Sequence, residues 1–394
     1  MFKKSLILLV VLSWAIAGGV SAQSDPIRIG AIFDLSGSTS DVGRPYAEGV
    51  AAYVDFVNSN GGINGREIEL LGADSGNSVN TAVSIYRQAV AQGAVAVMGW
   101  GTDDTQALVG EAADDGIPFI SASYSDSLDD PNGDAPYNFV IATTYGDQIE
   151  LLMEYMVELW EDDGNSAADM SVAIFYDDSA FGVDPLRQAA EAADWLGLGG
   201  ALSLRMPRGA TDYTAELQQA DDYGVTHVVI QSTAGPAAVL VRNINDFFGG
   251  SVVVGCLNWC ANEQLIARAG GAAEGVLGAM PFTPTSVQVA GQDDPREYLA
   301  ARGLSLTDTT LNFTQGWAAM SLLVEAITQV SDAGSEVSGP NIRAALESFD
   351  EVDTGTLLPP VSFSPNDHSG TSALVIYVVE NGEWVESSGL LDLD

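Results

Sequence analysis

The chain has 394 residues, 46% of them hydrophobic, which is enough for two to three domains of about 150 residues with sizeable cores. Both of its lysines, Lys3 and Lys4, lie near the N-terminus. Of the 14 basic residues, 12 arginines therefore remain against 54 acidic residues, a formal charge of −42. This balance excludes nucleic acid as a partner and disfavours anionic membranes, because phosphates need a basic surface.

The first 22 residues have the pattern of a secretory signal peptide. Lys3 and Lys4 precede an apolar stretch over residues 6–16, and Val20-Ser21-Ala22 provides small residues for cleavage after Ala22. The alternative, a single membrane anchor, needs a longer apolar stretch. The residue directly after the cleavage point is not a cysteine, so a lipid anchor there is not supported. We expect a periplasmic or secreted protein that is not inserted in a membrane.

The next residues predict a strand, a helix and a second strand. Residues 27–33 form an apolar run too short for a core helix, and residues 42–58 carry valines at helical spacing. Gly61 and Gly62 end that helix, and residues 67–71 form the next strand. Such units build parallel sheets with helices on both faces, so the pattern predicts an α/β fold.

The same alternation continues along the chain and predicts two similar Rossmann-like lobes, each with a parallel central sheet. The first lobe continues with a helix at 79–91, a strand at 94–98, a helix at 103–113 and a strand at 117–120. The second has helices at 148–160, 183–196, 213–222 and 237–248, and strands at 172–176, 202–204, 227–231 and 252–254. The remainder has strands at 276–279 and 373–379 and helices at 316–330 and 341–349.

Several motifs, taken in order, resemble those of type I periplasmic solute-binding proteins of the branched-chain amino acid and amide group. They are DLSGSTSDVG at 34–43, NGGINGREIEL at 60–70, AVAVMGWGTDDTQAL at 94–108, GIPFISASYSDSL at 116–128 and DDSAFG at 177–182. The resemblance implies three crossings between the lobes, with a cleft where they meet. Candidate crossings are 142–144, 280–282 and 355–360. Lobe 1 would then comprise residues 26–142 and 281–357, and lobe 2 residues 143–280 and 358–394.

The resemblance also implies a function. The chain would be the substrate-binding protein of an ABC importer, a monomer that captures a small amino acid or amide-like solute by hinge closure and delivers it to the inner-membrane permease. No cofactor and no metal are expected. A sensory receptor that acts on a signalling partner is the alternative, and an exported hydrolase is a rival of another class.

Enzyme chemistry is disfavoured by the residues that are missing. Without lysine after residue 22, the chain has no phosphate-binding GxxxxGK loop, no Schiff-base lysine and no SxxK nucleophile. A catalytic triad or zinc site built on histidine has only His227 and His368 to use, and each is expected to be structural. We therefore expect a binding protein and not an enzyme.

Ligands of open α/β sheets bind at the carboxyl ends of the strands, so the loops there supply the candidate site. Trp100, Gly101 and Thr102 follow one strand, where backbone amides and the Thr102 hydroxyl could hold a polar head. Thr102 could instead cap the next helix, and Trp100 could pack against the lobe. By the resemblance, Ser123 and Ser125 hydrogen-bond the ligand head, the alternative being a serine-rich turn that satisfies its own backbone.

The second lobe offers three further candidates. Phe181 matches an aromatic residue that packs on the ligand in similar proteins, although it could be a core residue under a glycine turn. Thr233 follows the strand at 227–231, and Asn258, with Trp259 beside it, follows the strand at 252–254.

One departure from the resemblance concerns the ligand ammonium. Amino acid binders of this group place a carboxylate near residues 256–259 and often an aromatic residue near Val42. Here the segment GCLNWCAN has no acid before Glu263. Because a buried ammonium without a charged partner is costly, this departure leaves room for amides or urea. Asp103 and Asp104 could serve an ammonium if they face the cleft.

Two further expectations follow from composition. Cys256 and Cys260 are the only cysteines, and they form either a disulfide or two buried thiols. The excess of acids indicates a salt-adapted protein, because repulsion between surface carboxylates is screened at high ionic strength. The alternative is an unusually acidic protein from an ordinary source.

Overall fold

A computed structural model describes residues 25–393, so the predicted signal peptide over residues 1–22 lies outside the described residues. The strands are β1 Ile27–Phe33, β2 Ile68–Asp74, β3 Ala96–Gly99, β4 Phe119–Ser121, β5 Asn138–Phe139, β6 Ser171–Asp177, β7 Gly200–Met206, β8 His227–Gln231, β9 Val253–Cys256, β10 Leu277–Met280, β11 Leu374–Glu380 and β12 Glu383–Leu391. The helices are α1 Ser40–Ser59, α2 Val79–Ala91, α3 Thr102–Asp115, α4 Tyr145–Asp162, α5 Ala180–Val183, α6 Leu186–Trp195, α7 Thr214–Tyr223, α8 Ala234–Phe248, α9 Glu263–Ala269, α10 Asp293–Ala300, α11 Leu311–Asp332 and α12 Gly339–Leu346.

The strands form two sheets, as the alternating pattern predicts. The first has the order β2-β1-β3-β4-β5 and is parallel throughout. The second has the order β12-β11-β10-β9-β8-β6-β7. Its strands from β6 to β10 are parallel, whereas β11 and β12 are antiparallel additions at one edge. The expected α/β fold with two parallel-sheet lobes is confirmed.

The chain passes between the two sheets three times. It leaves the first sheet after β5, returns to the first lobe after β10, where α10, α11 and α12 lie, and rejoins the second sheet at β11. The lobe boundaries proposed at residues 142, 280 and 357 stay predictions.

Glycines allow α1 and α11 to pack unusually closely in the first lobe. A methyl group at Gly49 would lie 1.9 Å from the carbonyl oxygen of Phe313, and one at Gly316 would lie 2.0 Å from that of Tyr46. Only residues without a side chain permit this approach of two backbones. This contact places the start of α11, at Phe313 and Gly316, beside Tyr46 and Gly49 of α1.

The predicted helix over 183–196 is wrong in its extent. The structure has two helices here, α5 and α6, with Asp184 and Pro185 between them. Pro185 has no backbone N–H, so the helical hydrogen bond to the carbonyl oxygen four residues earlier is missing at this point.

Five elements were not predicted, namely β5, α5, α9, α10 and β12. The antiparallel strand β12 follows Asn381 and Gly382, which have φ angles of +54° and +80°, and Glu274 accepts hydrogen bonds from both of their amides at 3.0 and 2.7 Å. The short helix α9 begins after Asn262, whose side chain accepts hydrogen bonds from the amides of Gln264 and Leu265.

The two cysteines are free, buried thiols in this structure. Cys260 Sγ donates hydrogen bonds to the carbonyl oxygens of Ile230 at 3.2 Å and Leu257 at 3.4 Å. Burial raises the pKa of the Cys256 thiol well above its usual value. Of the two alternatives left open by the sequence, the structure has the pair of thiols.

Within residues 25–393, none of the helices combines the length and the apolar character needed to cross a membrane.

Candidate functional site

A cavity lies between the carboxyl ends of the two sheets. Its volume is about 50 Å³, and it is partly open to solvent. Residues that follow β1, β3, β4, β6, β8 and β9 contribute to its wall, so both lobes form it. The lining residues are Thr39, Val42, Asn77, Trp100, Gly101, Thr102, Asp103, Ala122, Tyr145, Asp177, Ser179, Phe181, Thr233 and Trp259.

The loop after β1 is organised by the buried carboxylate of Asp34. This carboxylate accepts hydrogen bonds from the amides of Ser36 and Gly37 and from both the amide and the hydroxyl of Thr39, at 2.9 and 2.7 Å. Thr39 Oγ1 in turn accepts a hydrogen bond from Trp100 Nε1 at 2.9 Å. The indole of Trp100 is therefore fixed in the wall of the cavity and is only 5% exposed.

The loops after β3 and β4 supply the polar floor of the first lobe. Gly101 is the N-terminal cap residue of α3 and carries no side chain over the first turn. The Thr102 and Ser123 hydroxyls are hydrogen-bonded to each other at 2.6 Å. Thr102 lines the cavity and Ser123 lies behind it. The two residues thus act as a unit, because this hydrogen bond fixes the side chain of Thr102.

The wall of the second lobe is aromatic. Trp259 Nε1 donates a hydrogen bond to the Tyr145 hydroxyl at 2.9 Å, and the Tyr145 ring meets that of Phe181 edge to face at 5.2 Å. Gln231 Nε2 donates to the carbonyl oxygen of Phe181 at 3.0 Å, which fixes the short helix α5 against the end of β8.

Aromatic rings from the two lobes meet across the cleft. Trp100 and Trp259 lie 5.3 Å apart edge to face, and Tyr46 contacts both of them at 5.5 and 6.1 Å. Tyr124 stacks on Trp259 at 5.9 Å. The hydroxyls of Tyr46 and Tyr124 are buried and have no hydrogen-bond partner among residues 25–393. Burial raises the pKa of both tyrosines, so each hydroxyl remains a proton donor.

Three acids lie at or near the cavity, in different environments. Asp103 and Asp177 line it. Asp104, the residue after Asp103, is buried but does not line it, and burial raises its pKa to about 6. No arginine or histidine is among the lining residues, so the negative charge of the cavity wall is not balanced within it.

Polar contacts also join the lobes around the rim of the cleft. Asp41 Oδ2 accepts a hydrogen bond from the Gly235 amide at 2.7 Å, and Arg268 lies close enough to lower the pKa of Asp41, although burial raises it overall. On another side, Ser125 Oγ donates a hydrogen bond to the Asp184 carboxylate. These contacts hold the two lobes together over the cavity.

The structure brings five of the eight predicted site residues into the wall of this cavity, namely Trp100, Gly101, Thr102, Phe181 and Thr233. Ser123, Ser125 and Asn258 are buried but do not line it. Their predicted contact with the ligand stays a prediction.

Asn258 belongs to a buried amide network. The backbone N–H of Asn258 donates a hydrogen bond to Gln148 Oε1 at 3.1 Å. The side-chain Oδ1 of Asn258 accepts one from Gln315 Nε2 at 2.7 Å. Gln315 Oε1 accepts from Asn312 Nδ2 at 2.8 Å, which ties the end of β9 to α11 of the first lobe. Asn258 Nδ2 has no hydrogen-bond partner among the described residues.

Sequence reasoning missed Asp177, Ser179 and Tyr145 as lining residues. The first two lie in the DDSAFG segment directly after β6, so the rule that placed the other candidates could have found them. Tyr145 begins α4 inside a crossing between lobes, where no periodicity marks it. Val42 lines the cavity at the position where the resemblance leads one to expect an aromatic residue.

The two histidines lie away from the cavity. Burial lowers the pKa of His227 to about 4, and its ring meets Trp160 edge to face at 5.2 Å. His368 stacks on Phe139 at 4.0 Å, and burial lowers its pKa as well. In the part of the chain that the structure describes, no group of three His, Cys, Asp or Glu residues is arranged to hold a metal ion.

Known proteins with the same architecture were found by sequence and by structure. The family model described as "Periplasmic binding protein" matches residues 26–383. Leu/Ile/Val-binding protein homolog 7 of Brucella abortus is 23% identical over 261 residues, which cover 64% of this chain and only 63% of that protein. A branched-chain amino acid ABC transporter protein from Thermus thermophilus, solved with bound valine, has a TM-score of 0.86 at 24% identity, covering 94% of this chain and 97% of that one. An ABC transporter substrate-binding protein from Aeropyrum pernix has a TM-score of 0.83 at 26% identity over the same shares.

Two lobes that each present the carboxyl ends of a parallel sheet to a shared cleft form the fold of type I periplasmic binding proteins. Since the family model covers most of its length, the chain belongs to the periplasmic binding protein family.

Proposed function

We propose that this chain is the extracytoplasmic substrate-binding protein of an ABC importer. It captures a small amino acid or amide-like solute in the cleft and presents the closed form to the permease. The observation that carries the proposal is the cavity itself, because its wall is built from strand ends of both lobes. A solute held there contacts both lobes at once and so favours the closed arrangement.

The chemistry of the wall suits a solute of modest size with polar and apolar parts. The first turn of α3 and the Thr102 hydroxyl supply hydrogen-bonding groups on one side. Trp100, Phe181 and Trp259 supply apolar surface in the same wall. The names of the similar proteins support amino acids as the first solutes to test.

The proposal is tested by a thermal-shift screen in high salt. The chain without residues 1–22 is heated with amino acids, aliphatic amides, urea and short organic acids. A solute at a hundredfold excess over its Kd should raise the free energy of unfolding by about 2.7 kcal/mol. Small-angle scattering then checks that the same solute makes the particle more compact.

Phe181→Ala and Phe247→Ala form a matched pair for this screen. Phe181 lines the cavity, whereas Phe247 is exposed on α8 and does not. The first substitution should abolish the solute-dependent shift and the second should keep it. If no small solute shifts the unfolding temperature or changes the scattering, the proposed function is wrong.

A further inference from the structure

We propose that closure of the cleft exchanges helix caps between the two lobes. Asp41 of the first lobe caps the N-terminus of α8 in the second, and Glu263 of the second lobe caps the N-terminus of α11 in the first. The inference rests on the proposed function, because it concerns the closure of the same cleft. Neither residue lines the cavity, so both are positioning residues that act through the distance between the lobes.

The first observation is that α8 and α11 do not use the caps that their own sequences offer. Thr233 precedes α8 and Thr310 precedes α11, each with extended backbone, and threonine is a preferred N-cap residue. Neither hydroxyl accepts a hydrogen bond from its own helix, whereas Ser78 and Thr144 do cap α2 and α4. The Thr310 hydroxyl oxygen is buried without a hydrogen-bond partner among residues 25–393. The first amides of α8 and α11 therefore need other acceptors.

Asp41 supplies the acceptor for α8. Its Oδ2 accepts a hydrogen bond from the amide of Gly235, the second residue of α8, at 2.7 Å. A methyl group on Gly235 would lie 2.9 Å from this oxygen, so glycine leaves room for the carboxylate. Gln264 of α9 also donates a hydrogen bond from Nε2 to the backbone carbonyl oxygen of Asp41. The start of α1 is thereby held against two helices of the second lobe.

Glu263 supplies the acceptor for α11, in the opposite direction. This residue begins α9, which packs on α8 in the second lobe. Its Oε2 accepts a hydrogen bond from the amide of Leu311, the first residue of α11, at 2.7 Å. Its Oε1 accepts two more from Thr285, from the amide at 3.1 Å and from the hydroxyl at 2.7 Å. Both carboxylate oxygens are therefore bonded to residues that follow the return of the chain from β10 to the first lobe.

A carboxylate is a stronger cap than a threonine hydroxyl. Its negative charge is stabilised by the partial positive charge of a helix N-terminus, and its hydrogen bonds are charge-assisted. When the lobes separate, the carboxylates leave, and rotation of the Thr233 and Thr310 side chains can cap the two helices instead. Each helix thus has one cap for the open form and a stronger one for the closed form, which favours closure.

The test measures the distance between the lobes with two spin labels and pulsed electron paramagnetic resonance. The labels are attached to Glu48→Cys on α1 and Asp246→Cys on α8, which are exposed positions of the first and second lobe. Because Cys256 and Cys260 are buried, the introduced thiols are labelled selectively. Distances are recorded in high salt, without solute and with leucine, and give the ratio of closed to open molecules. We expect a closed population of the parent protein in at least one of the two samples.

Substitutions of the two carboxylates should open the cleft in a graded way. Asp41→Ala and Glu263→Ala remove the acceptor and should each lower the ratio of closed to open molecules about tenfold, as for one hydrogen bond to a charged group. Asp41→Asn and Glu263→Gln keep an oxygen acceptor but lose the charge, and should lower the ratio about threefold. Circular dichroism checks that each variant is folded. If an alanine variant does not fold, the amide variant of the same residue decides.

Two control variants remove a charge whose hydrogen bonds stay within one lobe. Asp55 lies on α1 and accepts a hydrogen bond from Tyr298 of α10, and Glu274 accepts the amides of Asn381 and Gly382 in the second lobe. Asp55→Asn and Glu274→Gln should leave the ratio of closed to open molecules within about twofold of the parent protein, because charges away from the cleft are screened in high salt.

Thr310→Val should change the ratio in the opposite direction. It removes a hydroxyl that is buried without a partner in the closed form and that caps α11 in the open form. We expect the ratio of closed to open molecules to rise about threefold. A substitution that merely loosened the packing around α11 would not favour closure.

Two results would overturn the inference. One is the same ratio of closed to open molecules in the parent protein and in the Asp41 and Glu263 variants, which includes the case in which the parent stays open in both samples. The other is a Thr310→Val protein that is more open than the parent. Both results are compatible with a solute receptor that closes by other contacts. The proposed function fails only if no solute in the wider thermal-shift screen raises the unfolding temperature or changes the scattering.

Discussion

Ser123 illustrates how a buried residue can act on the cavity without facing it. Its hydroxyl is hydrogen-bonded at 2.6 Å to that of Thr102, which does face the cavity. Ser125 has a different role, since its hydroxyl bridges to Asp184 of the other lobe. Both serines were predicted to hydrogen-bond the ligand. In the structure, Ser123 orients a cavity residue, whereas Ser125 joins the two lobes.

Ser123→Ala should weaken solute binding about fivefold, because the lost hydrogen bond contributes on the order of 1 kcal/mol to the orientation of Thr102. The unfolding temperature without solute should change little. Ser84→Ala, at an exposed position of α2, is the control. Unchanged affinity in the Ser123 variant, measured by calorimetry, would remove this residue from the site.

Four buried or half-buried carboxyl groups make the stability of the protein depend on pH. Burial raises the pKa of Asp129 to about 7 and those of Asp104, Asp147 and Asp184 to about 6. A raised pKa in the folded state means that the stability contribution is present at low pH and is lost as the pH rises through 6 to 7. His227 acts in the opposite direction below pH 6.5, because its pKa is lowered to about 4.

We therefore expect a higher unfolding temperature at pH 5.5 than at pH 8, measured by calorimetry at constant salt. Asp129→Asn should reduce this difference and keep an oxygen acceptor for the His368 amide, which now donates to Asp129 at 3.1 Å. Asp130→Asn, at the exposed neighbouring position, should leave the difference unchanged. A pH dependence that is equal in both variants would contradict the role of Asp129.

Among the secondary-structure elements, α1 and α11 show the closest packing, and it depends on glycine. Gly316→Ala should destabilise the protein by about 1–3 kcal/mol, because its methyl group would overlap the Tyr46 carbonyl oxygen. Gly110→Ala is the matched control, since Gly110 lies in α3 with nothing within 4 Å of the added methyl. That substitution should stabilise α3 by up to about 1 kcal/mol. Chemical denaturation that ranks the two variants in the opposite order would refute this account.

The elements that sequence reasoning found are the ones with strong periodicity or long apolar runs, such as β1 and α2. Those it missed depend on local chemistry. Strand β12 has an irregular polar pattern, and only the Asn381-Gly382 pair indicates a hairpin there. Helix α9 is short, and its Asn262 cap was the usable indication. Pro185 was the usable indication of the break between α5 and α6.

At the scale of the whole molecule, the charge of −42 is spread over both lobes with few cations to offset it. Among residues 25–393, arginine forms ion pairs with six carboxylates, most of them largely exposed. Exposed pairs of this kind contribute little to stability. The compact state must therefore tolerate repulsion between many unpaired acids.

We expect the unfolding temperature to rise clearly between 0.1 and 1 M NaCl, because the Debye length shortens from about 10 to about 3 Å. The same series in sucrose of matched osmolality controls for effects unrelated to charge. Equal unfolding temperatures at both salt concentrations would count against the proposed salt adaptation.

The candidate site could be predicted from the sequence only in part. The sequence identified Trp100, Gly101 and Thr102 because they follow a predictable strand, and Phe181 by the resemblance. It could not find Tyr145, whose position depends on how α4 enters the second lobe. It also could not show that Asp103 and Asp177, 74 positions apart in the chain, share one cavity wall.

The two buried thiols can report on local unfolding of the second lobe. Cys256 and Cys260 are both completely shielded from solvent, and the Cys260 thiol is hydrogen-bonded to the carbonyl of Ile230 in the adjacent strand. A thiol reagent can reach them only after the segment that carries them separates from β8. The rate of covalent labelling therefore measures how often this part of the second lobe opens. A solute that binds in the cleft and stabilises the lobe slows the labelling.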